Sequence, residues 1–423
     1  MAGLVQQRFP AVYVSLLRVV EAHPRVFVGA LIVSFGLVLG GVAVVLRAWW
    51  MGRKYRRLVA ERAGSGRSHE QALCGLEKHR AAPARWLRDG PLQPLPILEF
   101  TDSLGLRIAV YSWMATTTRK RKGVAILLHG QGCWSESEFA KRPGLERHLG
   151  YRGSWIEALN DAGWDCWSFD YTGHGHSESV LDGARSMAYA YDDYVDEAVQ
   201  LRALLGARSE YADASLRWAL LGQSMGACVG LLTAERIPTQ FDRVALCSPA
   251  LRFEDLKKKP RNRVLLPLLD VMSVAMPSAR IGSGEPHCNA QIHEEMHALG
   301  EPYFDMLNLR ARYCAESLAA GERALANAEA IEAVPLLIIH DPADKYTDPV
   351  GSAMLHARLP ESSTLLPARG AGHDVVSGDT KGVFIAAIVA FFATALDGGS
   401  EAQTEEAKKT RRKKRAERID IVL

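Results

Sequence analysis

The sequence has no paired cysteines. Its seven cysteines (Cys74, Cys133, Cys166, Cys228, Cys247, Cys288 and Cys314) are scattered singly, with no CxxC among them. That argues against a structural zinc site and a disulfide scaffold, and fits a reducing compartment. No asparagine opens an N-x-Ser/Thr sequon, which favours a cytosolic location for the folded part of the chain. Charge of one sign is also missing: 51 basic against 48 acidic side chains leave +3, too balanced for a dedicated nucleic-acid binder. Nor is there an internal repeat or a collagen-like composition. With 48% hydrophobic and 23% charged residues over 423 positions, the chain is globular in character.

One long apolar run is present. Residues 26–46 read VFVGALIVSFGLVLGGVAVVL, uncharged between Arg25 and Arg47. About 20 apolar residues cross a bilayer core, so the run predicts a transmembrane helix, with Trp49 and Trp50 at the interfacial belt. A cleaved signal peptide has a shorter core, about 7–15 residues, and a small-residue cleavage site. A buried amphipathic helix would show a polar face. Residues 47–63 carry six basic side chains against three in residues 1–25, so the positive-inside rule puts the downstream chain in the cytosol. Gly36 and Gly40 form a GxxxG, a weak basis for a homodimer. The expected organisation is an N-terminal segment 1–25, an anchor 26–46, a basic juxtamembrane linker 47–93, a catalytic domain 94–397 and a disordered tail 398–423. The tail holds seven basic residues within 408–415. Contact with anionic lipid, at about 1 kcal/mol per basic residue near the surface, is weighed there against a solvated tail and a nuclear-localisation patch.

From Pro94 onward, apolar runs of strand length alternate with helical periods, the pattern of a mostly parallel sheet wrapped by helices. Strands are predicted at 97–100, 107–113, 123–128, 165–169, 217–221, 243–247, 335–340 and 363–367, and helices at 194–205, 226–235 and 381–395. The basic stretch 119–122 is expected in an exposed hairpin loop. Between 251 and 332 the alternation lapses into helical segments, which predicts an insertion in the sheet domain.

Five segments bear on the chemistry. Ser224 sits in GQSMG (222–226), directly after an apolar strand and before a helix. Glycines at both ends allow a sharp turn that leaves the hydroxyl projecting above the sheet. The Met225 N–H then stands at a helix N-terminus, where it can donate to a developing oxyanion. HGQG (129–132) ends an upstream strand and is placed to supply a second donor, the backbone N–H of Gln131. His129 is expected to shape that loop. His174 and His176 in DYTGHGHS (170–177) lack the further ligands a metal site needs. A serine nucleophile needs a base oriented by a carboxylate, in the chain order Ser, Asp, His. His373 follows the last strand in GAGH (370–373), while Asp341 and Asp344 both stand after the strand at 335–340. Asp348 and Asp374 are expected to be solvated loop carboxylates.

These motifs, in this order, resemble the α/β-hydrolases of the monoacylglycerol lipase and lysophospholipase group, sometimes labelled serine-aminopeptidase-like, over about residues 94–397. The resemblance implies an α/β-hydrolase fold with a mostly parallel eight-stranded sheet and an inserted helical cap at about 251–332. It implies a triad of Ser224, Asp344 and His373, with oxyanion donors from the backbone of Gln131 and Met225. Where the family carries a G-x-x-D segment, this chain has DPAD (341–344), so Asp341 stands at the glycine position and remains a lesser candidate for the acid. Gln131 replaces a small residue, and segment 140–152 is longer than in relatives. The implied activity is hydrolysis of a fatty-acyl ester, monoacylglycerol or lysophospholipid first, with no cofactor or metal. Acyl transfer, thioesterase or peptidase specificity remain open on the same fold. A non-catalytic membrane scaffold would have no need to keep all three triad residues. The cap's basic stretch 257–263, leading into VLLPLLDVMSVAMP (264–277), suits a lid at an anionic membrane surface or an ordinary buried cap helix.

Overall fold

The computed structural model describes residues 98–115, 121–140, 153–180, 185–188, 190–253, 262–283, 308–375 and 381–394. The expected anchor, linker and tail, and segment 141–152, lie outside the described residues. Among the described residues, no helix is long and apolar enough to cross a membrane.

Strands covered on both faces read as near-continuous apolar runs, and the strand Gly123–Leu128 does so as GVAILL, while the strand Trp164–Phe169 also buries Asp165 and Ser168. In chain order the strands are β1 (Leu98–Thr101), β2 (Arg107–Trp113), β3 (Gly123–Leu128), β4 (Trp164–Phe169), β5 (Arg217–Gln223), β6 (Arg243–Cys247), β7 (Arg280–Ser283), β8 (Asn308–Arg310), β9 (Leu336–His340) and β10 (Ser363–Pro367). Every residue of β3, β4, β6 and β9 is buried. Eight strands form one sheet in the order β1-β2-β4-β3-β5-β6-β9-β10. The β1–β2 and β2–β4 pairs are antiparallel, and the rest are parallel. The described helices are α1 (Trp155–Asp161), α2 (Tyr191–Gly206), α3 (Met225–Arg236), α4 (Asn262–Ala275), α5 (Ala311–Asn327), α6 (Pro349–Arg358) and α7 (Lys381–Ala393).

Side chains alternate between the two faces of a strand, and β3 divides accordingly. Val124, Ile126 and Leu128 join the core beneath α2, α3 and α5. Ala125 and Leu127 join the core beneath α1 and α7, with Trp155, Ile388 and Phe392. This is the α/β-hydrolase fold, with each predicted strand found within two residues of its expected ends.

Two expectations need correction. Segment 119–122 does not link a hairpin, because β2 pairs with β4 rather than β3. Arg121 is tied down there, with its Nε 2.8 Å from the buried Asp165 carboxylate and its guanidinium over the Tyr211 ring. The insertion after β6 is not purely helical either: β7 and β8 form a two-stranded antiparallel ribbon inside it, alongside α4 and α5.

The packing of α7 gives a test. Phe392 is fully buried against Trp164, whereas Val383 on the same helix is 70% exposed. Chemical denaturation of Phe392→Ala is expected to show a loss of about 3–5 kcal/mol. Val383→Ala is expected to stay within about 0.5 kcal/mol of the parent. Equal losses would contradict this packing.

Candidate active site

The turn between β5 and α3 is forced into a backbone region that side chains avoid. Ser224 has φ +54° and ψ −113°, a conformation that persists only when the surroundings hold it. They do so at close range. The Ser224 N–H donates to the Cys247 carbonyl at 2.9 Å. A Cβ on Gly226 would lie 2.1 Å from the Leu128 carbonyl oxygen, and one on Gly222 would lie 2.4 Å from the Gly226 carbonyl oxygen. Only glycine allows α3 to lean this closely on the end of β3. The result aims the serine hydroxyl out of the sheet, above the point where β3 separates β4 from β5. Crevices of this kind, at the carboxyl ends of parallel strands where strand order reverses, bind ligands in α/β folds.

The histidine and the acid arrive from the far side of the sheet. Ser224 Oγ lies 2.9 Å from His373 Nε2, and His373 Nδ1 lies 2.7 Å from Asp344 Oδ2. All three side chains are buried. The Gln223 side-chain amide donates to the His373 carbonyl at 2.9 Å, fixing the histidine loop against β5. Asp344 also accepts from Tyr346 N–H at 2.7 Å, Thr347 N–H at 3.2 Å and Thr347 Oγ1 at 3.0 Å, with His340 Nε2 at 3.0 Å. Burial alone would raise this carboxyl. The bonds from His340, His373 and Tyr346 N–H overcome it and hold Asp344 well below the usual carboxylate range.

Of the two acids left open by the chain order, the geometry brings only Asp344 to His373. Asp341 instead accepts from Gly372 N–H at 2.7 Å and Ala343 N–H at 2.8 Å, tying the acid loop to the histidine loop. Asp348 is not merely solvated: it caps α6, accepting from Val350 N–H. Asp374 is half-buried, and burial together with the charges of Glu138 and Asp344 pushes its carboxyl up to about 8. Met225 is the first residue of α3, so its N–H is one of the helix's unsatisfied donors. Gln131 lies in the turn after β3, closed by a Cys133 N–H to Gly130 carbonyl bond.

His129 is fully buried and shapes that turn. Its Nδ1 meets the Gly130 carbonyl at 2.9 Å, and its Nε2 accepts from Tyr171 N–H at 3.3 Å. His176 turns away from His174 to meet Tyr111 Oη at 2.8 Å. Asp170 accepts from Tyr111 Oη at 2.6 Å, Ser135 N–H at 2.8 Å and His176 N–H at 2.9 Å, which clamps the loops after β3 and β4 together. Burial opposes its ionisation, yet the His176 ring, the neighbouring His129, the Tyr111 hydroxyl and the His176 N–H bring it down to about 2.

Three residues at the site were missed from the sequence: His340 and Thr347, which hold Asp344, and Glu138. Glu138 lies in a single π-helical turn, Glu136–Ala140, and accepts from Gly130 N–H at 3.3 Å; burial raises its carboxyl. No spacing rule points to any of them.

The family described as serine aminopeptidase, S33, matches residues 142–380, more than half of the chain and the part that holds Ser224, Asp344 and His373. The protein belongs to this family. No curated protein matches it. Among solved structures, a monoacylglycerol lipase from Paleococcus ferrophilus is 24% identical, with a TM-score of 0.52, over 68% of this chain and 98% of that one. A soluble variant of the Saccharomyces cerevisiae monoglyceride lipase, in complex with a substrate analogue, is 17% identical with a TM-score of 0.54, over 74% and 97%. The α/β-hydrolase GrgF from Penicillium sp. sh18 is 16% identical with a TM-score of 0.50, over 71% and 98%. At these identities the likeness establishes the fold.

Asp374 supplies a pH test. A carboxyl whose folded pKa lies above its unfolded value disfavours folding increasingly as pH rises between the two, here from 3.8 to about 8. Asparagine carries no such charge. Asp374→Asn is therefore expected to stabilise the protein at pH 8 by over ~1 kcal/mol more than at pH 5, as read by thermal unfolding. A pH-independent effect would exclude the buried carboxyl.

Proposed function

We propose that this protein is a serine hydrolase of carboxylic esters, acting on fatty-acyl esters such as monoacylglycerol or lysophospholipid. The observation that carries this reading is the hydrogen-bonded line from Ser224 through His373 to Asp344, on a strained turn at a switch point of the sheet. A serine hydroxyl is a weak nucleophile unless a neighbouring base removes its proton. Asp344 accepts from His373 Nδ1–H, which leaves Nε2 free to take that proton. Ser224 Oγ attacks the ester carbonyl while the N–H groups of Gln131 and Met225 receive the oxyanion. His373 returns its proton to the departing alkoxide, and an acyl-enzyme remains. Water, deprotonated by the same histidine, releases the fatty acid.

An acyl-lipid substrate agrees with the outer face of the cap. Leu268, Val271 and Val274 on α4 are about half exposed or more, and Ile281 on β7 lies outward as well. These residues and the apolar run 26–46 suit an enzyme that works at a bilayer, with its catalytic domain on the cytosolic face and the basic tail against anionic lipid. A second reading, cleavage of an amide, is favoured by the family description as serine aminopeptidase.

Ser224→Ala is expected to abolish release of fatty acid from monoacylglycerols and lysophospholipids, scored beside aminoacyl amides as the competing substrates. Asp344→Asn should lower kcat about 10⁴-fold, since the wrong histidine tautomer is then held. Asp341→Asn, which only loosens a loop, should lose about tenfold or less. Equal losses for the two aspartates would overturn the assignment of the acid, and hydrolysis of amides alone would overturn the ester reading.

The anchor has its own test. Full-length protein is expected in the membrane fraction after carbonate washing, and a form lacking residues 1–46 in the supernatant. A full-length protein extracted by carbonate would overturn the anchor.

A further inference from the structure

The Gln131 side chain has a feature that hydrolysis by the triad does not use. Its carboxamide lies 3.3 Å from Nε2 of His174. His174 is fully buried, and burial, followed by the neighbouring His129, holds its pKa well below the usual histidine value, so the ring is neutral. Its Nδ1 faces the Thr172 carbonyl at 3.2 Å. A carbonyl can only accept, so Nδ1 carries the proton and Nε2 is left with a lone pair. Ser186 Oγ, 3.5 Å away, is the other polar group at that nitrogen, at the limit of bonding distance.

The two ends of a carboxamide are told apart by their partners. An imidazole nitrogen that can only accept requires the NH₂ end of Gln131 to face it. The other end of the carboxamide is buried and meets no protein partner among the described residues. In this orientation that end is the carbonyl oxygen, a desolvated acceptor awaiting a donor. Such an atom is costly to leave unmatched.

The position of this atom identifies the partner. Gln131 follows β3 and His174 follows β4, which are parallel neighbours, so both loops emerge at the carboxyl edge where Ser224 stands. Gln131 is partly exposed, and its own backbone N–H is the proposed oxyanion donor. The carboxamide thus belongs to the loop that carries the proposed oxyanion donor, at the edge of the sheet where the ester would lie. A fatty-acyl chain carries no hydrogen-bond donor, so the donor belongs to the alcohol side of the ester. We propose that the Gln131 side-chain oxygen, oriented by His174, accepts a hydrogen bond from a hydroxyl or amine on the leaving group. Gln131 is then a specificity residue for esters of alcohols that bear a second donor. The inference rests on the ester-hydrolase reading above and narrows its substrates.

Butyrate esters of three alcohols of similar size separate the possibilities: 2-hydroxyethyl, 2-aminoethyl and 2-methoxyethyl. The wild-type protein is expected to favour the hydroxyethyl or the aminoethyl ester over the methoxyethyl ester by about tenfold or more in kcat/KM; whichever is preferred identifies the donor. In Gln131→Met, which keeps the backbone N–H, the preference should fall to near one. Each preference is a ratio within one preparation, so partial loss of folded enzyme cancels. Equal kcat/KM for all three esters in the wild-type protein would overturn the inference and leave the hydrolase reading intact, as would an unchanged preference in Gln131→Met. Complete inertness toward all three esters would overturn the hydrolase reading and the role of Gln131 with it.

Discussion

Everything at this site depends on one backbone conformation, the left-handed turn at Ser224. A non-glycine residue at positive φ is disfavoured by contact of its Cβ with its own backbone. The turn is stable because it is held from three sides. Behind it, the Cys247 carbonyl takes the Ser224 N–H. Ahead of it, Gly226 lets α3 pack on the Leu128 and His129 carbonyls. On its flank, Gln223 binds the backbone of His373. The same contacts that hold the strain bring the turn after β3 and the histidine loop to the serine, so local strain and site assembly have a single cause.

The second constraint is a buried negative charge. A desolvated carboxylate is unfavourable unless hydrogen bonds replace its water. Asp344 accepts two backbone N–H bonds and a threonine hydroxyl, with two histidines alongside. His340 is in turn joined to Ser352 Oγ at 2.7 Å. This shell fixes the carboxylate oxygen that meets His373, and so fixes the imidazole tautomer. Asp341, three residues earlier, does for the loop what Asp344 does for the ring: it joins Gly372 N–H to the turn after β9. The acid at the glycine position of DPAD is therefore a structural brace and not a competitor for the histidine.

Much of this was legible in the sequence, for a physical reason. Strands buried on both faces are largely apolar, so the central strands announced themselves within a residue or two. A strand-turn-helix with glycines at 222 and 226 has few uses other than setting a serine on a sharp turn at the end of the sheet. What was not legible depends on contacts between distant segments. β2 and β3 are neighbours in sequence but not in the sheet, because β4 inserts between strands that a hairpin would have joined. The β7–β8 ribbon pairs short segments about 25 residues apart along the chain and leaves no periodicity to detect. His340 and Thr347 bond Asp344 across a strand end, where no regular spacing relates them. Asp374 looked like a solvated loop residue because the charges that act on it, from Glu138 and Asp344, are brought near only by the fold.

The distribution of acids around His373 follows from these contacts. Three carboxyls lie in its electrostatic neighbourhood, from Asp344, Asp374 and Glu138. A carboxylate withdrawn from water is unfavourable unless hydrogen bonds replace its hydration. Hydrogen bonding is unequal, however. Asp344 has a full set of donors and stays charged, whereas Asp374, pushed up to about 8, is largely neutral at pH 7. Burial raises Glu138 as well. The carboxylate with a full set of donors is thus the one hydrogen-bonded to the His373 ring, which it orients, while burial raises the two acids that lack such a set.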